Sequence, residues 1–135
     1  MNTNVYVFGN EDVSFDSGPF AYVDRLTRDF PELHFIRVKP NEDLPFVGQE
    51  SVVIFDTMYG ISEMQIVTEK DMQKIQLSPR TSVHDFDLAF QLKYLLKIGK
   101  LKHIQIIGLP MDQVVDYDQV QVIFKKFVAH DIQGS

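Results

Sequence analysis

Three ionisable residues, Asp16, Asp56 and His84, each stand beside the end of a predicted structural element. Asp16 lies in the loop after the first apolar run, Asp56 directly follows a later apolar run, and His84 opens a helix. In an open α/β sheet, ligands bind outside the carboxyl ends of the strands. Two carboxylates and one imidazole at that edge form a ligand set that suits Ni, Zn, Mn or Fe(II). The pattern therefore favours a metal site built from these three side chains.

Each carboxylate also has an ordinary structural explanation. Asp56 follows four apolar residues, where an ionised carboxylate is partly desolvated unless it is paired or bound to a metal. Alternatively, it is a turn residue whose side chain accepts hydrogen bonds from the amides near residues 59–60. Asp16 shares its loop with Glu11 and Asp12, so a solvated acidic loop explains it equally well. From the residues alone, both roles stay open.

His84 has a specific local setting. Ser82 and Asp85 match the Ser-x-x-Asp capping signature, which places His84 in the first turn of a helix. Leu88 follows four residues later, so His84 is expected on the face that packs inward. The positive end of the helix dipole disfavours an imidazolium and keeps the ring neutral and able to bind a metal. The alternative is a core histidine whose hydrogen bonds are satisfied within the protein.

Composition narrows the class of protein. The 135 residues carry a net charge of -6 and are 44% hydrophobic, which predicts one globular domain over residues 1–135. An acidic chain argues against a nucleic-acid partner, and no apolar stretch approaches the roughly 20 residues of a membrane-spanning helix. Residues 1–4 lack the features of a signal peptide, so a cytoplasmic protein is expected. The sequence has no cysteine, which excludes disulfides, thiol catalysis and thiolate metal ligands from its own residues.

Alternating strand and helix patterns predict the fold. Short apolar runs predict buried strands at residues 5–8, 33–38, 51–55 and 102–108. Helices are predicted from residue 20 to a stop at Pro31, from His84 to a stop at Gly99, and over a final segment that includes Phe124. Two further short strands are predicted at residues 63–68 and 72–77. The prediction is a three-layer α/β sandwich, with a mainly parallel twisted sheet flanked by helices and residues 51–55 at its centre.

Taken together, three blocks of the sequence resemble the nickel-iron hydrogenase maturation endopeptidases. In the first block, a strand ending in Gly-Asn is followed by Asp16 and a Gly-Pro helix start. In the second, Asp56 ends the central strand, and in the third, His84 precedes a Leu-Ala helix. The later apolar strand that ends in Ile-Ile-Gly also fits. The blocks cover most of the chain in the order and spacing of the family, so the chain resembles a divergent member.

The resemblance implies an aspartyl-type endopeptidase that removes the C-terminal extension of a hydrogenase large-subunit precursor. It implies that Asp16, Asp56 and His84 are the catalytic and metal-binding residues, and that they recognise nickel carried by the substrate rather than a permanent cofactor. The cysteines of the precursor would supply the sulfur ligands. No nucleic acid or membrane partner is implied. The family has a Gly-Thr loop after the second strand, whereas this chain has the shorter, proline-rich residues 39–45.

Two other functions fit parts of the sequence. A response-regulator-like domain would use an acidic pair such as Glu11 and Asp12 with Asp56 as phosphoacceptor. Against it, the strand at residues 102–108 is followed by Leu-Pro rather than by the expected lysine, and His84 would have no role. A non-catalytic binding protein on a related α/β fold is the third possibility.

Overall fold

The computed structural model describes residues 3–8, 18–38, 48–58, 60–71, 88–110 and 114–133. Five strands and three α-helices form in these ranges. In chain order they are β1 (Thr3–Phe8), α1 (Phe20–Asp29), β2 (Leu33–Val38), β3 (Ser51–Met58), β4 (Gln65–Thr68), α2 (Leu88–Lys97), β5 (His103–Pro110) and α3 (Tyr117–Gln133). A short 3₁₀ turn, Glu69–Asp71, follows β4.

The strands form one sheet in the order β2-β1-β3-β5-β4, with β3 at its centre. The pairs β1–β2, β1–β3 and β3–β5 are parallel, and β4 is antiparallel to β5 at the edge. The longest pairing runs from Ser51 opposite His103 to Met58 opposite Pro110. The predictions of a mainly parallel sheet and of a central third strand are therefore confirmed.

Helices cover both faces of the sheet. On one face, α1 and α3 pack against the sheet, and the Phe124 ring of α3 meets the Phe55 ring of β3 edge-on at 5.2 Å between centroids. On the other face, Leu92 of α2 is fully buried against β3 and β5, in contact with a cluster that includes Ile54 and Ile106. This arrangement confirms the predicted three-layer sandwich.

The C-terminal end of α2 has the hydrogen-bond pattern of a Schellman motif. Gly99 has a φ of 78°, a left-handed conformation that glycine adopts without steric cost. Its N–H donates to the Leu96 carbonyl at 3.1 Å, and the Lys100 N–H donates to the Leu95 carbonyl at 3.1 Å. The stop that the sequence predicts at Gly99 is confirmed.

The connection from α2 to β5 fixes the direction of the helix. The backbone N–H groups of Lys102 and His103 donate to the Glu50 carbonyl, at 2.8 and 3.0 Å, just before β3 begins. The C-terminal end of α2 is therefore joined to the amino ends of the central strands. The helix runs back along the sheet, and its N-terminal end points toward the carboxyl ends.

Four elements differ from the sequence predictions or lie partly or wholly outside the described residues. The central strand does not end before Asp56 but continues through Met58, because residues 56–58 keep pairing with β5. The edge strand predicted at residues 63–68 is confirmed as the shorter β4. The strand predicted at residues 72–77 lies outside the described residues, as do the residues that precede Leu88 in the second helix. None of the described helices is long and apolar enough to span a membrane.

Candidate functional site

Asp56 lies inside the central strand at its carboxyl end. Asp56 pairs with Gly108 of β5 and is only 2% exposed. On the other side of β3, Val7 pairs with Phe55, and β1 ends one residue later at Phe8. Asp56 is thus level with the end of β1, at the edge where open α/β sheets bind ligands.

Strand alternation places the Asp56 carboxylate on the face covered by α2. Ile54 and Met58, two residues away on either side, belong to the core beneath that helix. Phe55 belongs to the core on the opposite face. Because side chains at i and i+2 of a strand share a face, Asp56 lies on the α2 side of the sheet. The N-terminal end of α2 points toward this same edge.

The carboxylate accepts a hydrogen bond from the backbone of the next residue. The Thr57 N–H donates to Asp56 Oδ1 at 2.8 Å. Among the described residues, Asp56 and Thr57 are the polar residues in the core. Burying a carboxylate costs several kcal/mol, and an apolar residue of similar size is often as stable or more stable at such a position. A buried acid at a ligand-binding edge is therefore a candidate functional residue.

Gly108, opposite Asp56, allows a close approach by Met58. A Cβ atom at residue 108 would overlap Met58 Sδ and come within 2.8 Å of Met58 Cγ. The methionine is itself 2% exposed, so it lies across the glycine within the core. Sequence reasoning did not predict this close contact between Gly108 and Met58. The available signal was an isolated glycine within an apolar strand, which often marks close packing against another group.

The other two predicted ligands are not among the described residues. Asp16 falls within residues 9–17 and His84 within residues 81–87, so their meeting with Asp56 stays a prediction. The described residues contain no group of three or more His, Asp or Glu side chains that would hold a metal. The proline-rich segment at residues 39–45 also lies outside the described ranges.

A second polar region lies at the opposite, amino-terminal edge of the sheet. It is a groove of about 440 Å³ whose lining includes Tyr6, Gln49, Glu69 and His103. Glu69 Oε1 accepts a hydrogen bond from the Ile104 N–H at 3.0 Å and lies 3.4 Å from His103 Nδ1. Asp56 does not line this groove, so the groove is not part of the candidate site.

Comparison with solved structures identifies the fold. The structure is similar to the hydrogenase maturating endopeptidase HybD from E. coli, with a TM-score of 0.66 and 13% identity over 100% of this chain and 94% of that one. It is also similar to an uncharacterized protein from Wolinella succinogenes, with a TM-score of 0.55 and 16% identity over 100% of both chains. No protein-family model matches the sequence, and no curated protein matches it significantly. The resemblance in the sequence is thus confirmed at the level of structure: this chain has the α/β fold of the hydrogenase maturating endopeptidase HybD.

Proposed function

We propose that this protein is an endopeptidase that removes the C-terminal extension of a nickel-loaded hydrogenase large-subunit precursor. The observation that carries the proposal is the likeness to HybD along the whole chain. Asp56 adds support, since it is a buried carboxylate at the ligand-binding edge of that fold. It also stands where the family resemblance puts a metal-binding acid.

In this proposal, Asp56 is a pre-oriented ligand for the nickel of the precursor. The Thr57 N–H fixes one carboxylate oxygen, which reduces the entropy lost when the side chain binds. Asp16, in the segment that follows β1, and His84, just before α2, supply the other two ligands. Nickel held by the precursor is a Lewis acid that polarises a nearby peptide carbonyl or activates a bound water. The three ligands thereby restrict cleavage to precursors that already carry the metal.

The topology argues against the response-regulator alternative. That class has a parallel sheet in the order 2-1-3-4-5. Here the edge strand β4 is antiparallel and is the fourth in sequence, and β5 occupies the place beside β3. A non-catalytic binding protein on the same fold is distinguished by the cleavage experiment.

The direct experiment is incubation with a hydrogenase large-subunit precursor, followed by intact mass measurement. The nickel-loaded precursor is expected to lose its C-terminal extension, and the nickel-free precursor is expected to stay intact. A precursor that binds but is never shortened would instead support the non-catalytic alternative. A loaded precursor that stays intact while HybD cleaves its own substrate under the same conditions would reject the peptidase activity.

The metal ligands are tested separately by calorimetric titration with Ni²⁺. We expect weak binding by the unmodified protein and its loss in His84→Ala. The matched control is His34→Ala, because His34 is exposed on the edge strand β2. Equal Ni²⁺ binding by the two variants would reject His84 as a ligand.

A further inference from the structure

The outer face of α2 carries an exposed apolar row. Phe90, Tyr94 and Ile98 are 65%, 55% and 44% exposed, and their spacing of four residues places them along one side of the helix. Leu92, on the opposite side, is fully buried against the sheet. The helix is therefore apolar on two faces, although packing against the sheet requires only one. Exposed apolar patches rimmed by polar residues commonly mark protein interaction sites.

The same helix and the segment that joins it to β5 are rich in lysine, although the protein is acidic. The chain has a net charge of -6, yet residues 88–102 include four lysines and neither Asp nor Glu. Lys102 pairs with Glu50 at 3.6 Å, whereas Lys93, Lys97 and Lys100 form no ion pair with any described residue. Lys93 and Lys97 lie three and seven residues after Phe90, so they border the apolar row. We call Phe90, Tyr94, Ile98, Lys93 and Lys97 the α2 stripe.

We propose that the α2 stripe docks the hydrogenase large-subunit precursor, through a surface on that protein whose apolar side chains are bordered by carboxylates. This inference rests on the proposed function. The charges favour a partner with an acidic surface. Such a surface is repelled by most of this acidic chain and attracted by the lysines of the stripe, which orients the encounter. Because the N-terminal end of α2 points to the edge that holds Asp56, a protein bound along the stripe lies beside the candidate site.

The test measures both binding and cleavage of the nickel-loaded precursor. The stripe variant is Lys93→Glu with Lys97→Glu. The control is Lys125→Glu with Lys126→Glu, which makes the same change in net charge at exposed positions of α3, on the other face of the sheet. Affinity is measured by calorimetry, and cleavage by intact mass. Tyr94→Ser tests the apolar part of the stripe, with Val122→Ser on α3 as its control, since Val122 is 49% exposed.

The stripe variant is expected to bind the precursor at least about ten-fold more weakly, and the control less than about two-fold. The difference should shrink in about 1 M NaCl, where the Debye length is about 3 Å. Equal losses in both variants would overturn the proposal. The proposal would also be overturned if the stripe variant lost self-association or binding to anionic vesicles but kept its affinity for the precursor.

The two proposals fail in different ways. If the unmodified protein binds the precursor without shortening it, the peptidase activity is rejected, and the affinities of the variants still decide whether the stripe docks the precursor. If it cleaves the precursor with the same KM in the stripe and control variants, only the docking proposal is rejected. If it neither binds nor cleaves, both are rejected.

Discussion

Replacing Gly108 by alanine tests the packing beside Asp56. The added Cβ would overlap Met58 Sδ, and Met58 is 2% exposed, so the methionine must be displaced within a filled core. Overpacking of this kind costs about 1–3 kcal/mol of unfolding free energy. We expect Gly108→Ala to lower the stability by that amount.

The cause of this loss can be isolated by a double-mutant cycle. Met58→Ala alone removes buried side-chain atoms and is expected to cost about 2–5 kcal/mol. In the double variant the alanine at position 108 no longer meets a methionine, so the combined cost should fall below the sum. The expected coupling between Gly108 and Met58 is about 1–3 kcal/mol.

Urea unfolding of the four proteins in the cycle measures the coupling. Gly99→Ala is the control, because its cost has a different origin. A Cβ at Gly99 would meet nothing within 4 Å, but its φ of 78° is strained for alanine, at a cost of about 1–2 kcal/mol. This cost should simply add to that of Met58→Ala. If the costs of Gly108→Ala and Met58→Ala also add, the proposed close contact is wrong.

Two further predictions concern the helices on the other face. Burial and the hydrogen bond donated to Asp29 raise the pKa of the Tyr117 phenol to about 12. The neutral phenol is therefore favoured in the folded state. The stability that Tyr117 adds relative to Tyr117→Phe should be fully present below about pH 10 and lost between about pH 10 and 12. Solvent screening limits this contribution to about 1 kcal/mol, which unfolding measured at each pH would detect. Phe124→Ala should cost about 3–5 kcal/mol in urea unfolding because this buried ring packs between three other phenylalanines, whereas Val122→Ala, at an exposed position, should change stability by less than about 0.5 kcal/mol. Similar costs for the two helix variants would contradict the packing described for α3.

Local patterns in the sequence were sufficient to predict most of the elements. The strand at residues 33–38 has the predicted bounds, and the helix stop at Gly99 follows from backbone chemistry that only nearby residues control. The end of β3 was not predictable in the same way. A charged residue usually marks the end of a buried strand, but Asp56 is kept within β3 by its pairing with Gly108, which is 52 residues away in the sequence.

The candidate site was predicted less completely than the fold. Burial of Asp56 at the carboxyl edge agrees with the prediction that its carboxylate is desolvated. The close approach of Met58 to Gly108 depends on the register between two strands, which one sequence does not specify. The placement of β4 antiparallel at the edge is likewise a tertiary property. Asp16 and His84 lie outside the described residues, so their convergence with Asp56 at one site stays a prediction.

The central claim is that the Asp56 carboxylate binds the nickel carried by the precursor. The most direct measurement is the rate at which Asp56→Asn cleaves that precursor. Asparagine keeps the size of the side chain and can still accept the Thr57 N–H, but it removes the charge. The proposal predicts that the rate of shortening of the nickel-loaded precursor falls by at least about 100-fold. The control is Asp24→Asn, because the Asp24 side chain is 93% exposed on α1. Equal cleavage rates for folded Asp56→Asn and Asp24→Asn would contradict the account.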